Sequence, residues 1–185
     1  MRVFLQAFKM LIVLTFITGI VYPLCVTLAG GLLFPYQAKG SLVYNNGVVV
    51  GSELIGQKFT DPKFFHSRPS ASDYDAMQSG GSNLAFSNKD LYKQVELNIK
   101  NVRDVNLMSA DVLVPTDLLT ASASGLDPHI SKDAAMIQVK RIAQVRGLSE
   151  EQVGVLVDAH GNKSLLNPSA YVNVLVLNVA LEQIK

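Results

Sequence analysis

Charge is what the N-terminal part of this 185-residue chain lacks: residues 10–38 include no Asp, Glu, Lys or Arg, and no acidic residue precedes Glu53. The more strictly apolar part, 10–34, would measure roughly 37 Å as an α-helix. The hydrocarbon core of a bilayer is about 30 Å thick, so this segment is long enough to cross it with some tilt. The run therefore predicts a membrane helix rather than part of a water-soluble domain.

Cysteine is nearly absent as well. Cys25 is the only one and lies in the apolar run, which excludes a disulfide within the chain. The histidines His66, His129 and His160 are widely separated and have no second cysteine to join them, so we expect no metal site. The part of the chain beyond the membrane must hold together by its own core or by a partner.

Catalytic and nucleic-acid-binding patterns are also missing. The serines of 120–125 lack a G-x-S-x-G nucleophile elbow, and no paired-carboxylate arrangement stands out, so we expect a chain that is not an enzyme. Beyond Phe34 there are 14 Lys and Arg against 15 Asp and Glu, with no basic patch. This balance argues against nucleic acid as a partner.

A retained anchor is the prediction for the apolar run, against two processed alternatives. Thr27-Leu28-Ala29 has the form of a weak signal-peptide cleavage site, but the apolar run continues past it to Phe34. A lipoprotein signal ending at Cys25 would place bulky Leu24 where a small residue is expected. The length of the run favours the anchor.

Orientation is predicted from Arg2 and Lys9, which precede the run. Positively charged flanks stay in the cytoplasm, so we expect a single-pass protein of the plasma (inner) membrane with a cytoplasmic N-terminus. Residues 1–35 would form the anchor, with the transmembrane part at about 10–34. Residues 36–185 would form an extracytoplasmic domain, and their number suffices for one core.

Small side chains recur every four residues along the predicted membrane helix. We call this set the small-residue stripe: Thr15, Gly19, Pro23, Thr27 and Gly31. Small residues let the backbone of a second helix approach closely, which predicts a face that packs against a partner helix. The alternative is that Gly and Pro are simply tolerated in membrane helices.

The fold class predicted is α/β: a single transmembrane helix followed by one small mixed α/β domain. The runs Leu42-Val43-Tyr44 and Val48-Val49-Val50, on the two sides of an Asn46-Gly47 turn, predict a hairpin over 42–50. The stretch 60–86 loses periodicity and is rich in Ser, Gly, Pro, Asp and Asn, so an irregular, functional segment is expected there.

Helices dominate the rest of the predicted domain. Ser87 with Asp90 has the form of a capping box, before apolar residues spaced at helical intervals over 91–102. Residues 112–114 predict a short strand. Asp127-Pro128 resembles the start of a helix that runs to Arg146 and ends at Gly147.

Two further elements complete the prediction. Ser149 and Gln152 predict a second capping box, opening a short helix that stops at Gly161. The last segment predicts a brief strand at 171–174 and then a helix.

Three loop motifs are candidates for function. His66 and Arg68 could contact an anion or a partner, or could serve only the packing of Phe64-Phe65 and the carbonyls of the loop. Ser79-Gly80-Gly81-Ser82-Asn83 could form a backbone nest for phosphate, or an ordinary glycine-rich turn, since it lacks the lysine of a Walker loop. The third motif is the serine-rich run that begins at Thr120.

These motifs together resemble the KdpC family of the Kdp potassium-transporting P-type ATPases, over essentially the whole chain. Beyond the anchor, the matching segments are 40–42, 51–52, 55–57, 65–71, 79–84, 120–131, 141–143, 146–147, 173–175 and 177–178. The most specific is the run SASGLDPHIS, with the signature residues Ser122, Ser124, Gly125, Asp127, Pro128 and His129.

The resemblance implies a non-catalytic accessory subunit of a high-affinity, ATP-driven potassium uptake pump. Its partners would be a channel-like subunit that selects potassium, a P-type subunit that hydrolyses ATP and a very small single-helix subunit. The family is described as stabilising the complex and as a catalytic chaperone that raises the ATP affinity of the hydrolysing subunit. No cofactor would be bound tightly, and ATP would act through the partner complex.

In this family the Ser-Gly-Gly element has been likened to the L-S-G-G-Q signature of ABC transporters. Here Gln78 precedes the element, and Asn83 replaces the final Gln. The predicted topology places Ser79 outside the cell, whereas ATP is inside. We therefore expect an indirect effect on ATP affinity, through the conformational equilibrium of the partner. The alternative function is a membrane-anchored, extracytoplasmic ligand-binding module.

Overall fold

A computed structural model of the protein describes residues 1–162 and 170–184. The chain forms two compact units, Met1–Leu42 and Val43–Lys185. The predicted class is confirmed: a candidate membrane helix is followed by a small domain of mixed helices and strands.

The first unit is one long apolar helix with a short addition. It consists of α1 (Arg2–Phe16), a π-helical turn (Ile17–Val21) and α2 (Tyr22–Leu33), and a single turn, α3 (Pro35–Ala38), follows. Within the described part of the chain, Arg2–Leu33 is the one helix long and apolar enough to cross a membrane.

Pro23 accounts for the π-helical turn. Proline has no N–H to donate, and its ring collides with the carbonyl of the residue four positions earlier, here Gly19. The wider turn, in which the Tyr22 N–H donates to Ile17 O, relieves this conflict. Each residue in the turn rotates by less than the roughly 100° of an α-helix. The small-residue stripe is therefore kept closer to one face than ideal α-helical geometry would keep it.

The second unit opens with the predicted hairpin, which is confirmed. β1 (Leu42–Asn45) and β2 (Val48–Ser52) form a two-stranded sheet. Asn46 and Gly47 between them have φ angles of 49° and 80°, the left-handed values that the turn requires. An irregular stretch follows, as predicted, with one short 3₁₀ turn at Ala76–Gln78.

α4 (Lys89–Asn106) is the longest helix of the domain. The predicted capping residue Ser87 is wrong by one position, since the Asn88 side chain accepts the N–H of Asp90 at 2.8 Å. The predicted strand at 112–114 is also wrong: these residues form an irregular link to a 3₁₀ turn, Thr116–Leu118. Among the described strands, none pairs with residues 112–114, so this short apolar run does not form a strand.

The predicted helix from Asp127 to Arg146 is wrong over its first quarter. Residues His129–Ser131 form β3, which pairs antiparallel with β4 (Tyr171–Asn173). Ser131, rather than Asp127, caps the helix that follows, because its Oγ accepts the N–H of Ala134 at 3.0 Å. That helix is α5 (Lys132–Met136), and after a break α6 (Val139–Arg146) continues to Gly147, which ends it with φ 69° as predicted.

The last two helices agree with the predictions except at one end. α7 (Glu150–Ala159) has the predicted capping box between Ser149 and Gln152, but it ends before His160 rather than at Gly161. α8 (Val174–Glu182) follows β4 as predicted.

The core of the domain lies among α5, α6, α7 and α8 and the small sheet of β3 and β4. Its members are apolar side chains of these elements, joined by Leu118 of the 3₁₀ turn and by Phe65 of the irregular stretch. Burial of Phe65 is complete, so the loop that carries the candidate motifs is anchored in the core.

Candidate functional site

Side chains, rather than a neighbouring strand, hold the irregular segment 62–66. Asn178 of α8 accepts the N–H of Phe65 at 2.8 Å and donates to its carbonyl at 3.0 Å. Gln138 likewise accepts the N–H of His66 at 2.7 Å and donates to its carbonyl at 3.2 Å. Each amide thus imitates a residue of a paired strand, and both are buried. The segment that leads to Arg68 is thereby fixed to α8 and to the start of α6.

Arg141 of α6 completes this arrangement. Its Nη1 donates to the carbonyls of Pro62 and Phe64, Nη2 donates to Gln138 Oε1 at 2.9 Å, and Nε donates to Asn106 Oδ1 at 2.9 Å. All these acceptors are neutral, and burial lowers the pKa of Arg141 to about 10, so the guanidinium remains charged at neutral pH.

Arg68 reaches the signature motif on the other side of the segment. Its Nη1 donates to Asp127 Oδ2 at 2.9 Å, while the other carboxylate oxygen of Asp127 accepts the N–H of His129 at 3.0 Å. His129 Nδ1 lies 3.3 Å from that same oxygen, and its ring meets Tyr171 edge to face. Hydrogen bonds from His129 and then from Arg68 lower the pKa of Asp127 to about 2. Asp127 is therefore the shared acceptor that links two loops, not a helix cap.

His66 and Arg68, predicted together as a contact pair, have different surroundings. The His66 ring is directed to Asp61, with Nε2 3.2 Å from the Asp61 carbonyl, whereas Arg68 contacts Asp127 and Thr120. Burial, and then the charge of Arg141, lower the pKa of His66. A neutral imidazole is thus favoured there.

The Ser-Gly-Gly element packs against the signature motif. Gly80 N donates to Ser124 O at 2.8 Å, and Ser79 Oγ donates to the same carbonyl at 3.0 Å. A Cβ on Gly81 would stand 3.0 Å from Ala123 O, and one on Gly125 would stand 2.7 Å from Gly80 O. The glycines therefore permit close packing of two backbones, and at least two polar hydrogens of the element are used within the protein.

We call the joined surface the loop platform: Arg68, 78–83 and 122–129. Gln78, Ser82 and Asn83 are exposed on it, and Ser122 is buried beneath it with its Oγ 3.3 Å from Ser124 Oγ. An open groove of about 470 Å³ runs beside Arg68, lined also by Leu54, Ala123, Leu126 and Pro128. Ser122, Ser124 and Asp127 also line the groove, so its surface is a mixture of polar and apolar groups.

Some residues considered in the sequence analysis do not belong to the platform. His160 lies elsewhere, with Nδ1 2.9 Å from Leu156 O. Among residues 1–162 and 170–184, no three His, Cys, Asp or Glu side chains form a group that could hold a metal ion. The small-residue stripe belongs to the first unit and is exposed along its length.

Sequence reasoning missed the buried polar side chains that hold the segment 62–66 and one another: Gln138, Arg141, Asn178 and Asn106. A signal was present, because Gln138 precedes the inward-facing Ile142 by four residues, and Asn178 lies between Leu177 and Leu181. A polar side chain on the apolar face of a helix indicates a buried hydrogen-bond partner.

Fold and site together define a class: a small α/β domain that follows one candidate membrane helix and carries a platform of packed loops. Residues 4–183 match the family model described as KdpC: K+-transporting ATPase, c chain. The chain belongs to this family.

Relatives named "Potassium-transporting ATPase KdpC subunit" match nearly the full chain. One from Caldanaerobacter subterraneus is 50% identical over 97% of this chain and 95% of its own length. One from Rhodopseudomonas palustris (strain BisB18) is 45% identical, over 97% and 96%. One from Mycobacterium tuberculosis is 46% identical over 99% of both chains. The chain is therefore a membrane-associated subunit of a potassium-transporting ATPase.

Proposed function

We propose that this chain is a non-catalytic accessory subunit that stabilises the pump and raises the ATP affinity of its hydrolysing subunit without touching ATP. The observation that carries the proposal is the use of Gly80 N–H and Ser79 Oγ–H within the loop platform. A phosphate nest needs its backbone N–H groups directed at the anion. Here the Gly80 N–H and the Ser79 hydroxyl donate to the Ser124 carbonyl oxygen instead of to an anion.

The proposed partners are a channel-like subunit that selects potassium, a P-type subunit that hydrolyses ATP, and a small single-helix subunit. The proposed topology has Arg2 and Lys9 in the cytoplasm and the domain outside, because positive flanks are retained inside. In that topology the effect on ATP must cross the membrane through the conformation of the partner.

The decisive experiment compares the purified pump with and without this chain. Equilibrium ATP binding and potassium-stimulated hydrolysis are measured on both preparations, and the chain should lower the ATP concentration at half-saturation. Equal ATP affinity in both would refute the chaperone role. Equal integrity of the remaining subunits in detergent would refute the stabilising role.

Topology is tested by labelling. In a Cys25→Ala background, a Ser79→Cys variant should react with a membrane-impermeant maleimide in intact cells. Reaction only after the cells are opened would place the domain inside and would restore direct contact of the Ser-Gly-Gly element with ATP.

We also propose that the small-residue stripe packs against a membrane helix of the pump. Gly19→Leu with Gly31→Leu should reduce copurification of the other subunits, because leucine keeps the two backbones apart. Gly30→Leu is the matched control, since Gly30 lies off the stripe and, like Gly31, has open space around it. Unchanged copurification of the double variant would refute this packing.

A further inference from the structure

The buried guanidinium of Arg141 has an unusual set of partners. It is 3% exposed, and its acceptors are two backbone carbonyls and two side-chain amides, with no carboxylate among them. A buried charge is costly to desolvate, and no carboxylate of residues 1–162 and 170–184 forms an ion pair with it, although the charge of Asp61 favours it from farther away. Arg141 instead fixes the relative positions of the groups to which it donates.

Only a planar fork fits this geometry. The three guanidinium nitrogens donate in different directions: to α4 through Asn106, to Gln138 at the start of α6, and to the segment 62–66 through Pro62 and Phe64. A lysine ammonium is a single point with three donors and cannot serve acceptors spread in this way. Arg141 therefore joins three parts of the domain that have no shared strand or helix.

The arrangement leads directly to the loop platform. Gln138 Oε1 accepts from Arg141 and also from the N–H of His66, two residues before Arg68. Loss of the guanidinium would remove one of the four hydrogen bonds that hold the Gln138 side chain and would leave the carbonyl of Phe64 without this donor. The position of Arg68 relative to Asp127 thus depends on Arg141, although the two arginines share no contact among the described hydrogen bonds.

We propose that Arg141 is a positioning residue that sets the loop platform for contact with the other subunits of the pump. The inference rests on the proposed function, because it assumes that the platform transmits the effect on ATP. It assigns a role in pump activity to a residue that meets neither nucleotide nor potassium.

The test uses the assembled pump with three variants of this chain. Arg141→Met removes the fork, Arg141→Lys keeps the charge alone, and Lys140→Met is the control because it removes one charge from an exposed position of the same helix. We expect the ATP concentration at half-saturation to rise about threefold or more in Arg141→Met, with the maximal rate per assembled pump retained. Arg141→Lys should be intermediate and Lys140→Met unchanged.

Amide hydrogen exchange separates positioning from general stability. In the assembled pump, Arg141→Lys should exchange faster at 64–68 while amides of α7 keep their wild-type rates. Uniformly faster exchange, or wild-type half-saturation in both Arg141 variants, would overturn the proposal. If Arg141→Met fails to assemble, Arg141→Lys decides by the same two measurements. If removing the whole chain leaves ATP affinity unchanged, the proposed function fails, while exchange at 64–68 still judges the positioning role.

Discussion

Substituting Gly125 by alanine should loosen the loop platform far more than substituting Gly80. Gly125 has φ 69°, and a Cβ there would lie 2.7 Å from both Gly80 O and Ser72 Oγ. Gly80 has no positive φ, and a Cβ there would meet nothing within 4 Å. The pair differs in packing while sharing the chemistry of the substitution.

The expected loss for Gly125→Ala follows from two contributions. A left-handed φ costs a residue with a Cβ about 1 kcal/mol. Displacing the backbone oxygen of Gly80 adds about 1–2 kcal/mol, as for other overpacked sites. The sum, about 2–3 kcal/mol, corresponds to a fall of roughly 6–10 °C in the Tm of a domain of this size. Gly80→Ala should remain within about 0.5 kcal/mol of the wild type.

Thermal unfolding of the full chain in detergent, followed by circular dichroism, gives the first readout, and ATP half-saturation of the assembled pump gives the second. Gly80→Ala should leave both unchanged. Equal stability of the two variants would refute the packing argument. A Gly80→Ala variant with normal stability but weakened ATP binding would show that this glycine lets phosphate approach, and would refute the indirect mechanism.

Three other predictions concern individual contacts. Asp127 is stabilised as a carboxylate, so its contribution is present above pH 3.8 and is lost as pH falls through about 2; Asp127→Asn should cost about 1–2 kcal/mol at pH 6 in urea unfolding, with a difference that shrinks below pH 3.8. A pH-independent difference would contradict this. The pKa of His66 is lowered from 6.5, so wild-type stability should fall as pH drops below 6.5 and through the folded-state pKa, and His66→Gln should flatten that fall. Asn178→Leu leaves the N–H and carbonyl of Phe65 without partners and should cost about 2–4 kcal/mol in the same unfolding assay; a loss below about 1 kcal/mol would show that water replaces the amide.

Local signals predicted the elements whose stabilising contacts are local. Asn46-Gly47 determines the hairpin turn by its own φ preferences, and the box between Ser149 and Gln152 satisfies the first N–H groups of α7 from within four residues. The candidate membrane helix was predictable from the length and apolar composition of residues 10–34 alone. These features are readable because the residues that cause them are neighbours in the chain.

Long-range pairing explains the failures. Asp127-Pro128 is a good helix start by local criteria, yet the next residues form β3 because β4, some forty residues later, offers hydrogen bonds. Competition explains another error, since Ser87 and Asn88 are both acceptable caps and only packing chooses between them. The role of Asn178 could not be predicted from local sequence, because its partner Phe65 is 113 residues away.

An effect on ATP affinity that passes through conformation must be reciprocal. If this chain raises the ATP affinity of the pump tenfold, it contributes about 1.4 kcal/mol, and ATP must tighten the attachment of the chain tenfold in return. Contact of the Ser-Gly-Gly element with ATP would make this coupling sensitive to its exposed side chains Ser82 and Asn83, whereas transmission through the backbone packing of the loop platform would make it sensitive to Gly125. Dissociation of a fluorescently labelled chain from the pump, with and without a non-hydrolysable ATP analogue, should therefore slow equally for the wild type and for Ser82→Ala with Asn83→Ala. The Gly125→Ala chain should lose most of the slowing, and the opposite pattern would mean that nucleotide and chain meet directly.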